Sequence, residues 1–165
     1  MIYKFPKSFW SIAEQIGYAR RIINKKISDN NSRFDRGVKN DYVEKNGIVG
    51  ELIALDYLTN KNIDFKMAKL LELYPSKNAD FIIKNKKVDV KTGMHPTNTH
   101  FLVNEEAHKK GLNKIDLYWF VYILDKENAE FYFVNYNDVS KWDCKLMKYT
   151  NAYYIKTEDL RIILK

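Results

Sequence analysis

The sequence predicts a single α/β domain, a mixed β-sheet flanked by helices. Three observations carry that expectation. Two long N-terminal segments repeat apolar residues at helical spacing; NADFIIKNKKVDVKTG, Asn78 to Gly93, alternates with period two about a central turn; and the aromatic-rich runs DLYWFVYIL and EFYFVNY flank the turn DKENA. With 165 residues, 45% of them hydrophobic and 15% aromatic, the chain has enough apolar surface for one core. The domain is expected to span 1–165, with its core over about 39–136, an N-terminal helix before it and a C-terminal extension after it.

Ser8 can cap a first helix running to about Lys26, whose apolar positions are Phe9, Ile12, Ala13, Ile16, Ala19 and Ile23, with Arg20 and Arg21 near its end. SDNNSRFDRG is a polar loop by composition, and a second helix follows from about Lys39 to Lys61. NIDFKMA reads as a short strand, LELYPSKN as a connection, and then comes the hairpin. Gly93 and Pro96 in GMHPTNTH break the pattern ahead of a helix at VNEEAHKKG. Tyr118, Phe120 and Tyr122 alternate with Trp119, Val121 and Ile123, so both faces of that strand are apolar and it belongs in the interior of the sheet. AYYIK and TEDLRIIL add a last strand and a short helix.

Composition bounds the function. No apolar run reaches the ~18 residues of a membrane span, and MIYKFPKSFW lacks the apolar segment and small-residue cleavage site of a signal peptide, so a cytoplasmic protein with no membrane partner is expected. The single cysteine, Cys144, fits a reducing compartment and has no partner cysteines for a zinc site. A formal charge of +7 favours a polyanionic partner, nucleic acid first.

The hairpin carries unusual chemistry. A two-residue loop at Asn85-Lys86 sets Phe81 opposite Val90, Ile83 opposite Val88 and Asp80 opposite Lys91. One face is then apolar, and the other gathers Asp80, Lys84, Lys87, Asp89 and Lys91 around Ile82; a three-residue loop would mix the two sets. Alternating charges also suit a plain solvent-facing ribbon, so the second helix matters. In NGIVGELIALDYL, winding at about 100° per residue puts Glu51 inside the stripe formed by Ile48, Leu52, Ala54, Leu55 and Leu58. A carboxylate on a core-facing stripe needs a cation, a raised pKa or a cleft. Gly47 and Gly50 would let this helix approach another backbone closely; Glu44 is the nearest rival acid. Glu51, Asp80 and Asp89 together are hard oxygen ligands suited to Mg²⁺ or Mn²⁺, and Lys91 can hold a water or steady the charge on a phosphate.

The order of helix with Glu51, strand near Ile63, strand with Asp80, strand with Asp89-Val90-Lys91, helix near Glu105 and strand from Asp116 resembles the PD-(D/E)XK nuclease superfamily, over roughly Lys39 to Leu124. That resemblance implies a restriction-endonuclease-like fold with an αβββαβ core. It implies Asp80 and Asp89 as the motif acids, Lys91 as the motif lysine, Glu51 as the acid from the preceding helix, and a Val90 carbonyl that completes the shell of a Mg²⁺ or Mn²⁺ ion. Ala79 stands where the family commonly has proline and Asp89 where it has glutamate, one methylene longer. The expected activity is metal-dependent DNA endonuclease action of restriction or phage and mobile-element type, with a homodimer expected from the two strands to be cut. The alternatives are a Holliday-junction resolvase of the same fold and a catalytically silent DNA-binding module. His95, His100 and His108 match no zinc spacing and are read as surface or substrate-facing; one of Asn104, Glu105, His108 and Lys109 is a candidate helper. The first helix, with Trp10, Tyr18, Arg20 and Arg21, is read either as packing or as a phosphate-backbone or dimer face.

Overall fold

A computed structural model describes residues 2–28, 40–67, 79–111, 114–147 and 150–163. In chain order these form β1 (Ile2–Lys4), α1 (Phe9–Ser28), α2 (Asn40–Asn60), β2 (Phe65–Met67), β3 (Phe81–Ile83), β4 (Lys86–Met94), β5 (His100–Asn104), α3 (Glu105–Lys110), β6 (Leu117–Ile123), β7 (Asn128–Asn135), α4 (Tyr136–Val139), β8 (Asp143–Leu146), β9 (Asn151–Lys156) and α5 (Thr157–Ile163). Most of the SDNNSRFDRG loop and the whole LELYPSKN connection, 71–78, lie outside the described residues.

The larger sheet runs β1-β7-β6-β4-β3-β2. All its pairs are antiparallel except β4 with β6, which are parallel from Val88↔Leu117 to Met94↔Ile123. The architecture is therefore the mixed α/β sheet flanked by helices that the sequence predicts. The stretch α2-β2-β3-β4-α3-β6 follows the αβββαβ order, with β5 inserted before α3. β6 lies between β7 and β4, as an apolar-on-both-faces strand must.

Two cores result from that two-sided strand. On one face Ile48, Val49, Ile53 and Leu58 of α2 pack against Val88 and Val90 of β4 and Trp119, Val121 and Ile123 of β6. Burying each of these aliphatic side chains stabilises by ~1.5 to 3 kcal/mol. On the other face Tyr118, Phe120 and Tyr122 meet Phe101, Val103 and Ile155 of a second sheet, β5-β9-β8. β5 and β8 are strands that the sequence pattern does not announce. β5 carries the unbroken apolar run Phe101-Leu102-Val103 although its burial alternates, and β8 is exposed throughout.

Two glycines set the spacing of these layers. A Cβ on Gly50 would come within 1.9 Å of Thr92 Oγ1, so α2 rests directly on β4 beside Lys91. Gly93 leaves room for Phe101, which would stand 2.9 Å from a Cβ there. Gly47, expected to act with Gly50, has nothing within 4 Å of such an atom and plays no part in the approach. Among the described residues no helix is long and apolar enough to cross a membrane.

Candidate metal centre

The hairpin turns one residue earlier than the sequence suggests. Lys84 and Asn85, with φ of 47° and 65°, occupy the loop in the double left-handed geometry of a type I′ turn. Phe81 consequently faces Val88, Ile82 faces Lys87 and Ile83 faces Lys86. The expected pairs Phe81 with Val90, Ile83 with Val88 and Asp80 with Lys91 are thus wrong by two positions. An even slip preserves parity, so the apolar residues still share a face. What changes is the neighbour of Asp80, which is now the Asp89 end of β4.

The β3–β4 ladder stops at Phe81↔Val88, leaving the next stretch of β4 open on that side. Val90 N–H points into the opening and donates to Asp80 Oδ2 at 2.7 Å. In an extended strand a residue's N–H and C=O point to the same side, so the Val90 carbonyl opens there as well. Asp80 thus sits in the wedge between two diverging strands.

Asp89 and Lys91 project from β4 on the face that carries Tyr118, the register partner of Asp89. Lys91 Nζ forms an ion pair with Asp89 Oδ2 and lies 5.8 Å from the Tyr118 ring centroid. Lys91 keeps 37% of its side chain exposed and Asp89 17%, so the pair lines a partly open position. Asp89 Oδ2 is buried, and its partner is the Lys91 ammonium two residues along the same strand.

Glu51 comes from α2 and is not directed into bulk solvent, with 17% of its side chain exposed. Its partner is Arg20 of α1: Nη2 donates to Oε2 at 2.9 Å, and Nη1 reaches Oε1 at 3.4 Å. A cation was one of the compensations expected for Glu51, but Arg20 was not singled out for that part. The signal was present, since an acid on an apolar stripe needs a cation, and helices α1 and α2 are consecutive.

The charges act on one another. Burial first, then Asp89, then Glu51 push the Asp80 carboxyl up to about 7, against the opposing pull of the Val90 N–H and Lys91. Burial alone would lower Lys91, but Asp89 beside it, together with Asp80 and Glu51, raises it above its ordinary value. Glu51, Asp80, Asp89 and Lys91 are therefore near enough to form one electrostatic cluster.

Behind the cluster lies a buried polar chain. Tyr118 Oη and His108 Nδ1 are 2.9 Å apart, and His108 Nε2 lies 2.9 Å from Ser140 Oγ. His108 stacks on Tyr136 with ring centroids 4.0 Å apart, and Tyr136 Oη donates to the His108 carbonyl. Burial holds the imidazole below its ordinary pKa, and burial followed by the charge of Asp89 raises that of Tyr118. The reading of His108 as a surface or substrate-facing residue is corrected here. It is 3% exposed because α3 packs on β5 and β9, not on an open face. His95 is exposed and His100 half-buried. Asn104 caps α3 by accepting from Ala107 N, and Glu105 pairs with Lys109 at 2.7 Å. Trp10 donates to the Lys126 carbonyl at 3.0 Å and so serves packing, while Tyr18 is exposed. The side chain of Glu44 lies outside the described residues.

Among the described residues no three carboxylate, histidine or cysteine groups stand close enough to hold an ion as placed. Mg²⁺ and Mn²⁺ ask for less: one or two carboxylates, with water and substrate phosphate completing the shell. Asp80, Asp89 and the Val90 carbonyl supply hard oxygen donors of that kind, and the excess negative charge that raises Asp80 is what a cation would relieve. In charge and donor chemistry the residues fit such an ion; as placed, Lys91 and Arg20 hold two of the three acids.

No family model matches the sequence, and no curated protein matches it. Among solved structures the chain is similar to Hjc, a Holliday junction resolvase of the archaeal hyperthermophile Archaeoglobus fulgidus. The identity is 11% and the TM-score 0.43, over 68% of this chain and 90% of that one. A likeness this slight transfers no residue and no role, and the chemistry of the site rests on its own side chains.

Proposed function

We propose that this protein is a divalent-metal-dependent DNA endonuclease whose centre is Asp80, Asp89, Lys91 and Glu51. The observation that carries the reading is the convergence of three acidic charges and an ammonium where β3 leaves β4, with Asp80 raised to about 7 by burial first and then by its acidic neighbours. A structural ribbon has no need of two adjacent half-buried aspartates, and like charges this close cost stability unless something binds them. Asp80, Asp89, Glu51 and the Val90 carbonyl would hold Mg²⁺ or Mn²⁺. When bound, the ion supplies a Lewis acid beside the phosphodiester and lowers the pKa of its water.

The chain's own groups do the rest. Lys91, kept protonated by its acidic neighbours, would donate to a non-bridging phosphate oxygen or orient the attacking water. The Tyr118 ring lies under the Lys91 ammonium, and Val90 N–H fixes one oxygen of Asp80. The formal charge of +7 supports a polyanionic substrate. Restriction-type or phage-type duplex cleavage, junction resolution and action as a homodimer all remain within this reading.

A second reading, a DNA-binding module without catalysis, is favoured by one observation: Arg20 and Lys91 already neutralise Glu51 and Asp89. The test incubates the protein with supercoiled plasmid, linear duplex and a four-way junction, in Mg²⁺, Mn²⁺ or EDTA, beside Lys91→Ala and Asp89→Asn. The nuclease reading expects metal-dependent cutting, reduced about 100-fold or more by either substitution. Binding that neither substitution alters, with no substrate cut in either metal, would leave the silent module. Selective cutting of the four-way junction would identify a resolvase.

A further inference from the structure

We propose that Arg20 is a phosphate-binding residue of this centre, stored on Glu51 in the metal-free protein and released to the DNA backbone when Glu51 turns to the ion. This rests on the reading of Glu51, Asp80 and Asp89 as metal ligands. Arg20 meets Glu51 with both terminal nitrogens, at 2.9 and 3.4 Å, in the forked arrangement by which a guanidinium also grips phosphate. The pair is not a surface ornament, since 26% of the Arg20 side chain and 17% of the Glu51 side chain remain exposed. Its location also matters: the charge of Glu51 acts on both Asp80 and Lys91, so Arg20 is bound to a member of the acidic cluster.

Charge balance supplies the direction of the exchange. Among the described residues here, Glu51, Asp80 and Asp89 face Arg20 and Lys91, leaving one negative charge in excess when all are ionised. A divalent ion turns that excess into one positive charge, the complement of a single phosphodiester. The ion and Arg20 compete for the same carboxylate. Once the ion has it, the guanidinium keeps its tether on α1 and lies within the same cluster as the phosphate that the metal attracts. A buried ion pair is weak support for stability in itself, which leaves the retention of this one to be explained by an exchange of partners.

The test compares wild type with Arg20→Met and Arg20→Lys, each first checked for an unchanged far-ultraviolet circular dichroism spectrum. Mn²⁺ binding to the DNA-free protein is followed by electron paramagnetic resonance, and single-turnover DNA cleavage is measured at saturating Mn²⁺. Arg20→Met is expected to bind Mn²⁺ about 5-fold to 10-fold more tightly, because the competing cation is gone, yet to cut about 100-fold more slowly. Arg20→Lys keeps the charge without the fork; its Mn²⁺ affinity should stay within about twofold of wild type while cleavage falls about tenfold. A folded Arg20→Met with unchanged Mn²⁺ affinity and unchanged cleavage overturns the proposal, and so does one with weakened Mn²⁺ affinity, which would make Arg20 a prop for Glu51. Should Arg20→Met not fold, Arg20→Lys cutting at the wild-type rate overturns it alone. If wild type itself neither binds Mn²⁺ nor cuts, the reading of the centre fails, an outcome distinct from failure of Arg20 only.

Discussion

Replacing Asp80 by asparagine should stabilise the metal-free protein at alkaline pH and abolish its activity. The asparagine side-chain oxygen can still accept from Val90 N–H, so the geometry of the wedge is preserved while one charge disappears. The folded carboxyl sits at about 7 against an ordinary 3.8, because burial and the charges of Asp89 and Glu51 disfavour its ionisation. A group whose folded pKa lies above its unfolded one binds its proton more tightly in the folded state. Stability therefore falls as pH rises from about 4 to about 7, and stays reduced above that. At about 1.4 kcal/mol per pH unit the whole interval amounts to about 4 kcal/mol, and sharing of the proton with Asp89 and solvent in the wedge bring this to roughly 2 kcal/mol. Urea denaturation of wild type and Asp80→Asn in EDTA should show the variant more stable by roughly 2 kcal/mol at pH 8, the difference shrinking to about 0.5 kcal/mol at pH 4.5. Adding Mn²⁺ should close the gap by stabilising wild type alone. A variant less stable than wild type at pH 8, or a difference that does not change with pH, would refute the claim that Asp80 is held in a field of negative charge.

Three further outcomes follow from the packing of α2, the hairpin turn and the buried histidine. Gly50→Ala drives a methyl group into Thr92, forces α2 off β4 and should cost about 2 kcal/mol in denaturant melts, with nuclease activity falling further because Glu51 moves with the helix. Lys84→Gly removes a left-handed lysine at the hairpin turn and should stabilise by about 1 kcal/mol without changing activity; a loss of stability would mean that the turn is not type I′. His108→Phe leaves Tyr118 Oη without its buried partner and should cost about 2 kcal/mol, whereas a surface histidine would be replaced at almost no cost.

The sequence exposed the parts of the site that depend on parity and on helical periodicity. Glu51 could be singled out because a carboxylate among Ile48, Leu52 and Leu55 violates an expectation of burial, and the aspartates because alternation puts them on the face away from Phe81 and Val88. The exact neighbour of each residue depends on where the hairpin turns, and Lys84 in the left-handed region is a conformation that lysine seldom adopts. That choice moved Asp80 from opposite Lys91 to the Asp89 end of β4, where the charge of Asp89 adds to burial in raising its pKa. Long-range partners were harder still. Arg20 was visible only as a basic residue near a helix end, and which face of α1 meets α2 is decided by packing. The burial of His108 follows from a second sheet, of which β5 has three apolar residues in a row rather than an alternation and β8 is exposed throughout. Tyr118, Phe120 and Tyr122 did hint at it, since a strand apolar on both faces requires a layer on each side.

The claim on which the rest depends is that Asp80 and Asp89 bind a divalent ion in exchange for the internal cations. Crystals grown in Mn²⁺, with diffraction data collected at the manganese absorption edge, test it directly. An anomalous peak about 2.1 to 2.2 Å from oxygens of Asp80 and Asp89, with Lys91 turned away from Asp89, is the predicted result. No peak at the wedge, with Lys91 still paired to Asp89 at saturating Mn²⁺, would contradict it.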